Sequence, residues 1–110
     1  MKKLIIIQCK KYFYYFSNKK VKEISNLFSE DIQVNDWNVK ISGKNQAIKM
    51  YNKIFKSTKK LKIKIIEMHY INKVVFAQLV LNLHDKKLYI LDIIKFNNKN
   101  KISSIKAYKQ

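Results

Sequence analysis

Residues 12–37, YFYYFSNKKVKEISNLFSEDIQVNDW, decide how the rest of the chain is read. The stretch starts as the aromatic end of a helix, breaks at Ser17-Asn18-Lys19-Lys20, and resumes as a second amphipathic helix. It closes on a short strand whose last inward residue is an acid, Asp36. Upstream, Ile5, Cys9, Tyr12, Phe13 and Phe16 recur at helical spacing, which predicts a helix over about residues 3–17. Val21, Ile24, Leu27 and Phe28 form the apolar stripe of the second helix, over about residues 20–29. Ile32, Val34 and Asp36 then share one parity and alternate with Gln33 and Asn35, which is the period of a strand.

Beyond this stretch, Trp37-Asn38 reads as a turn and residues 39–41 as a short return strand. Ser42-Gly43 opens a third helix over about residues 44–57, with Ala47, Ile48, Tyr51, Ile54 and Phe55 on its buried face. From there the period changes. Residues 61–71, 74–84, 87–97 and 102–108 read as four strands. Their connections, Asn72-Lys73, Asp85-Lys86 and residues 98–101, are short enough to make neighbours antiparallel. Lys62 and Lys64 alternate with Leu61, Ile63 and Ile65, so the first of these strands has one wet and one dry side. Met68, Tyr70, Phe76 and Tyr89 read as sheet packing or as contacts of a dimer. Helices followed by such a meander predict an α+β domain, a curved antiparallel sheet packed on three helices. That arrangement tends to enclose the concave, apolar kind of space that small-molecule sites favour.

The length of 110 residues predicts a single domain spanning 1–110, large enough for a core of its own. An apolar content of 47% places the chain among globular proteins rather than disordered ones. A net charge of +17 raises nucleic acid or an anionic membrane surface as partners. Against this, all 24 basic residues are lysine, whereas arginine is the residue suited to bidentate recognition of bases and phosphates. The lysines are also spread along the whole chain, and lysine, isoleucine and asparagine are over-used together, as an AT-rich coding sequence produces. Nucleic acid is therefore not the expected partner; a binder driven by these lysines would lose affinity steeply with salt. The single cysteine, Cys9, excludes an intrachain disulfide and reads as a small buried hydrophobe. The start MKKLIIIQCKK imitates a secretion signal, but its apolar run from Leu4 to Ile7 is too short. No stretch reaches the length of a membrane span, and a cytoplasmic location is the expectation.

Chemistry points to the acids, of which there are seven. Glu23, Glu30, Asp31, Glu67 and Asp85 sit where solvated acids usually sit. Asp36 and Asp92 differ: Asp36 shares parity with Ile32 and Val34, and Asp92 with Leu88, Ile90, Ile94 and Phe96. A carboxyl in an apolar setting has its pKa raised by desolvation. Two such acids beside a phenol form a candidate acid–base set. Each also has a purely structural reading. Asp36 caps the Trp37-Asn38 turn, or Asp92 accepts hydrogen bonds from tyrosine or glutamine on neighbouring strands. Tyr12 also reads simply as a core aromatic of the first helix.

The pattern YFYYFSNKKVKEISNLFSEDIQVND, the helix start at Gly43 and Ala47-Ile48, and the closing LDIIKFNNKNKISSIKAY resemble the SnoaL-like branch of the nuclear transport factor 2-like superfamily. The resemblance covers nearly the whole chain. It implies a cone-shaped α+β fold around an internal pocket, often assembled as a homodimer through the sheet. Three residues are similar in position to those of the ketosteroid isomerases. Asp36 falls at the carboxylate general base, Tyr12 at the oxyanion-donating tyrosine, and Asp92 at the protonated acid of the oxyanion hole. The isomerases have a proline after the base, where this chain has Trp37. The epoxide-hydrolase members place an arginine between two acids, and this chain has none. The dehydratase members rely on histidines, and here His69 and His84 lie on different strands with opposite parity. The resemblance therefore implies a pocket for a small hydrophobic molecule, with cofactor-free proton transfer next to a carbonyl as its most concrete activity. The alternative is a non-catalytic ligand-binding or assembly module of the same fold. Phe16, Trp37, Tyr51, Phe55 and Phe96 are the aromatic side chains expected to line the pocket. No metal or cofactor is expected, since no paired His/Cys spacing is present.

Overall fold

The computed structural model describes residues 2–110. The elements are α1 (Lys2–Ser17), α2 (Val21–Leu27), β1 (Phe28–Asn35), β2 (Lys40–Ser42), α3 (Lys44–Ser57), β3 (Leu61–Ile71), β4 (Val74–Leu83), β5 (Lys86–Phe96) and β6 (Ile102–Lys109). They form an α+β fold in which the helices cover one face of a curved, open six-stranded sheet of order β2-β1-β6-β5-β4-β3.

The helix ends have identifiable causes. At the end of α1, Lys20 N–H donates to Tyr15 O at 2.9 Å and Lys19 N–H to Phe16 O at 3.2 Å. Lys19 is left-handed at φ 57°. This is the paired closure that usually employs a glycine; here a lysine takes the position, and its ammonium reaches the carbonyl of Thr58 beyond α3. The second helix is shorter than the apolar spacing implies. Phe28, expected on its stripe, turns into extended backbone at φ −92°, ψ 145° and becomes the first residue of β1. It remains buried, since either geometry delivers its ring to the core.

One strand pair departs from the antiparallel expectation. β3, β4, β5 and β6 form the meander, and β2 pairs antiparallel with β1, but β1 runs parallel to β6. The connection through α3 brings the chain back across the sheet, so the two antiparallel pieces join edge to edge in that sense. The β4–β5 turn also sits one residue earlier than the sequence implies, on His84 and Asp85. Their φ values of 48° and 73° supply the left-handed pair that a tight hairpin turn requires.

The core lies between the helices and the inward rows of the sheet. α1 contributes Ile5, Cys9, Tyr12 and Phe13; α3 contributes Ala47, Tyr51 and Phe55, spaced four residues apart on one face. The sheet answers with Ile32, Val75, Ile94, Ile102 and Ile105. Each large side chain buried in this way contributes roughly 1.5–3 kcal/mol. Truncating a fully buried one such as Ile94 to alanine would cost about 2–5 kcal/mol. Among the described residues, no helix is long and apolar enough to cross a membrane.

Candidate functional site

A cavity of about 200 Å³ opens between α1, α3 and the inward face of the sheet. Its walls are apolar: Val34, Met50, Ile54, Leu61, Ile63, Leu79, Leu81, Leu83, Leu88, Ile90, Ile105 and Ala107. Into this lining project two carboxyls, Asp36 and Asp92, and two phenols, Tyr12 and Tyr51, with Phe16 and Trp37 beside them.

Asp92 is carried by β5 on the inward row, 8% exposed. Its cross-strand neighbours are Ala77 on β4 and Ala107 on β6. Two methyl side chains leave its carboxyl with space in front of it instead of a partner. None of the hydrogen bonds among the described residues engages it, so the structural reading, in which tyrosine or glutamine on the adjacent strands satisfies it, does not hold. Burial, and then the negative charge of Asp36, push its pKa up to about 7. It is therefore a carboxyl that stays protonated into the neutral range and has a proton to donate.

Asp36 lies just past the end of β1, not within it. Its Oδ1 accepts from Asn38 N–H at 2.7 Å and Val39 N–H at 2.8 Å, and its own N–H donates to Val39 O at 2.9 Å. The turn-capping reading of this residue is thus correct, and the residue lines the cavity as well. Oδ1 serves the turn and holds the side chain still; Oδ2 takes no part in it.

Tyr12 is 4% exposed, and its hydroxyl lies 2.6 Å from that of Tyr51. Burial raises both phenols well above their ordinary pKa, and the negative charge of Asp92 adds to it. Both remain protonated. In the pair, one hydroxyl donates to the other, which leaves the acceptor's own proton free to point elsewhere.

The other aromatic expectations divide. Phe16 and Trp37 reach the cavity, with Trp37 at 38% exposure. Phe55 stands behind Phe16, ring centroids 5.2 Å apart, and supports the wall without forming it. Phe96 shares the parity of Asp92 but lies four residues further along β5, about 13 Å away. It packs in the core beyond the end of the cavity. The apolar lining residues were not singled out in the sequence, although the alternation that puts Leu61 and Ile63 on a dry side carried the signal. His69 is exposed beside Glu67, with Nε2 to Oε2 at 2.5 Å, and His84 sits in a turn; neither lines the cavity. Among the described residues, no three His, Cys, Asp or Glu side chains gather in a way that would hold a metal ion.

A family model described as glycosyl transferase 4-like matches residues 15–110. By that match the chain belongs to the glycosyl transferase 4-like family. The chain matches no curated protein sequence. Solved structures of nuclear transport factor 2-like and SnoaL-like proteins share the fold of this glycosyl transferase 4-like family member. A SnoaL-like protein of unknown function from Burkholderia thailandensis superposes with a TM-score of 0.87 at 9% identity, covering 100% of this chain and 97% of that one. The epoxide hydrolase/cyclase-like enzyme SalBIII, of pyran ring formation in polyether salinomycin, gives 0.87 at 15% identity, covering 99% and 92%. A provisionally assigned ketosteroid isomerase from Kribbella flavida gives 0.86 at 13% identity, covering 98% and 78%. At such identities the likeness carries the SnoaL-like fold and nothing about reaction. The family description and the fold speak to different things, and the architecture is decided by the strand order and the single parallel pair.

Proposed function

We propose that this chain is a SnoaL-like small-molecule pocket protein that moves a proton next to a carbonyl without a cofactor. The observation that carries the reading is the convergence of Tyr12, Asp36 and Asp92 on one otherwise apolar cavity, although they come from a helix, a turn and a distant strand. Each has a chemical task. Asp36 takes the proton from the carbon beside the carbonyl through the oxygen its turn leaves free. The carbonyl oxygen, becoming an enolate, is met by the protons of Asp92 and Tyr12. With Tyr51 as the donor of the hydroxyl pair, Tyr12 keeps its own proton for the substrate. Asp36 then returns the proton at a second carbon. The cavity lies below the roughly 300–1,000 Å³ usual for drug-sized ligands, so the substrate is small.

The test is a turnover assay on a β,γ-unsaturated ketone, following conjugation by absorbance for the wild type and Asp36→Asn. Loss of the general base should slow the reaction on the order of 10²–10⁴-fold. Equal rates in the two proteins would remove Asp36 from the mechanism. Ligand binding without turnover would favour the non-catalytic form of the same pocket.

The glycosyl transferase 4-like match raises sugar transfer as a second reading. The sheet topology and the glycine count weigh against it. A doubly wound nucleotide site is built from parallel strands and a glycine-rich turn, whereas this sheet has one parallel pair and the chain one glycine. Saturable binding of a nucleotide sugar would reverse the preference.

A further inference from the structure

The inward row of β6 ends in a cation. Ile105 and Ala107 line the cavity, and the next residue of the same parity is Lys109, paired across the sheet with Ile90, which also lines it. Lys109 Nζ lies over the ring of Trp37, 5.2 Å from its centroid. Trp37 itself forms part of the cavity wall while remaining 38% exposed. The ammonium therefore stands at the rim and is held by an aromatic face in place of an acid, since among the described residues Lys109 makes no ion pair.

The site is thus sorted by sign. The interior carries two carboxyls and no lysine, and the rim carries a lysine whose counter-charge is missing. A ligand that places an anionic group inside would meet the negative charge of Asp36 within an apolar wall. A ligand that places a carbonyl inside and an anion at the mouth meets donors at both ends. The chain's net charge of +17 also draws anions to the surface, but without choosing a position on it.

We propose that Lys109 is a specificity-determining residue and that the substrate is a small apolar carbonyl compound bearing one carboxylate, which Lys109 binds at the rim beside Trp37. The proposal rests on the pocket reading above and adds the substrate's second functional group. An ion pair of this kind at an exposed rim should favour the acid over the neutral ketone by up to roughly fivefold.

The experiment compares cyclohexanone with 3-oxocyclohexane-1-carboxylate by titrating the fluorescence of Trp37, the chain's one tryptophan, at neutral pH and low salt. The wild type should bind the acid more tightly by that factor. Lys109→Gln should bind both alike, and Lys109→Glu should prefer the ketone. Lys99→Gln, in the turn at the far end of β6, makes the same change in net charge and should keep the preference. An equal loss in Lys99→Gln would assign the effect to the overall field, and equal binding of the two probes by the wild type would overturn the rim assignment alone. If neither probe binds, the pocket reading falls and this proposal falls with it.

Discussion

The hydroxyls of Tyr12 and Tyr51 meet at 2.6 Å across the interface of α1 and α3, from positions 39 residues apart in the chain. The contact does two jobs. It satisfies two polar atoms in an apolar wall, and the hydroxyl that accepts keeps its own proton free. Tyr51→Phe separates them. The phenyl ring keeps the packing against Phe16 and Phe55, so the fold should survive with a loss of about 1 kcal/mol. Turnover of the ketone should fall by more than that loss explains, yet by less than in Asp36→Asn. A melting curve beside the rate separates the two effects; an unchanged rate would leave Tyr51 a packing residue only.

Asp92 predicts how stability follows pH. Its pKa rises from 3.8 in the unfolded chain to about 7 in the folded one, so the folded state binds the extra proton between those values. The stability this proton contributes is fully present below the unfolded pKa and is lost as pH rises towards 7, after which it stays lost. The span is on the order of 4 kcal/mol. Asp92→Asn cannot ionise. It should therefore be more stable than the wild type at pH 8, and its denaturant midpoints should vary less between pH 5 and pH 8. A wild type whose midpoint rises relative to the variant over that interval would contradict the assignment. Under the proposed mechanism, which uses the same proton, turnover should decline above neutral pH.

How much of this was legible follows from what each signal depends on. The inward acids were readable because parity is local: Asp92 follows Ile90 on its strand, and no distant contact changes which face it shares. Asp36 was readable for the same reason, although it stands past the strand's end. Phe28 was not, because the period that puts it on a helical stripe says nothing about where the helix stops, and no glycine marks the place. The closure of α1 was hidden similarly, by a lysine in a glycine's position. The parallel union of β1 with β6 depends on how two separate pieces meet, which no spacing within either encodes. Phe96 shows the converse limit: parity assigns a face, but only the cavity's length decides whether a residue on that face reaches it.

Gly43 is the position where the backbone requires glycine. It sits at the start of α3 with φ 91° and ψ 149°, donates to Ile32 O at 2.8 Å, and accepts from Ala47 N–H at 3.0 Å. No atom lies within 4 Å of where a Cβ would stand. Substitution therefore meets no clash, and its cost is conformational alone. Gly43→Ala should lower stability by about 1–3 kcal/mol without changing the size of the cavity. A denaturant midpoint equal to that of the wild type would mean that the turn can relax into an ordinary conformation.

Cys9 offers a probe of opening. It is fully buried on α1, and burial, with the charge of Asp92 adding to it, pushes the thiol up to about 12. Little thiolate exists at neutral pH, and what there is cannot be reached. Labelling with a disulfide reagent at pH 8 should be negligible in the native protein and complete in denaturant. Its slow native rate should follow the stability of the variants, faster in Gly43→Ala than in Tyr51→Phe. Prompt native labelling would place Cys9 in a segment that opens on its own.

The outer face of the sheet predicts assembly. Tyr89 and Leu91 on β5 and Tyr108 on β6 are 49%, 38% and 53% exposed, with Leu91 and Tyr108 direct cross-strand neighbours. Water on such an apolar run is unfavourable, and a second copy laid sheet to sheet would remove it. The lysines that surround the run set a condition, since two copies each of charge +17 repel. Dimerisation should therefore strengthen with salt, as screening shortens the reach of that repulsion. Sedimentation at 0.05 M and 0.5 M salt should show a shift from monomer to dimer, abolished by Leu91→Lys. A monomer at both salts would remove the dimer, while association that weakens with salt would point to an anionic partner on that face instead.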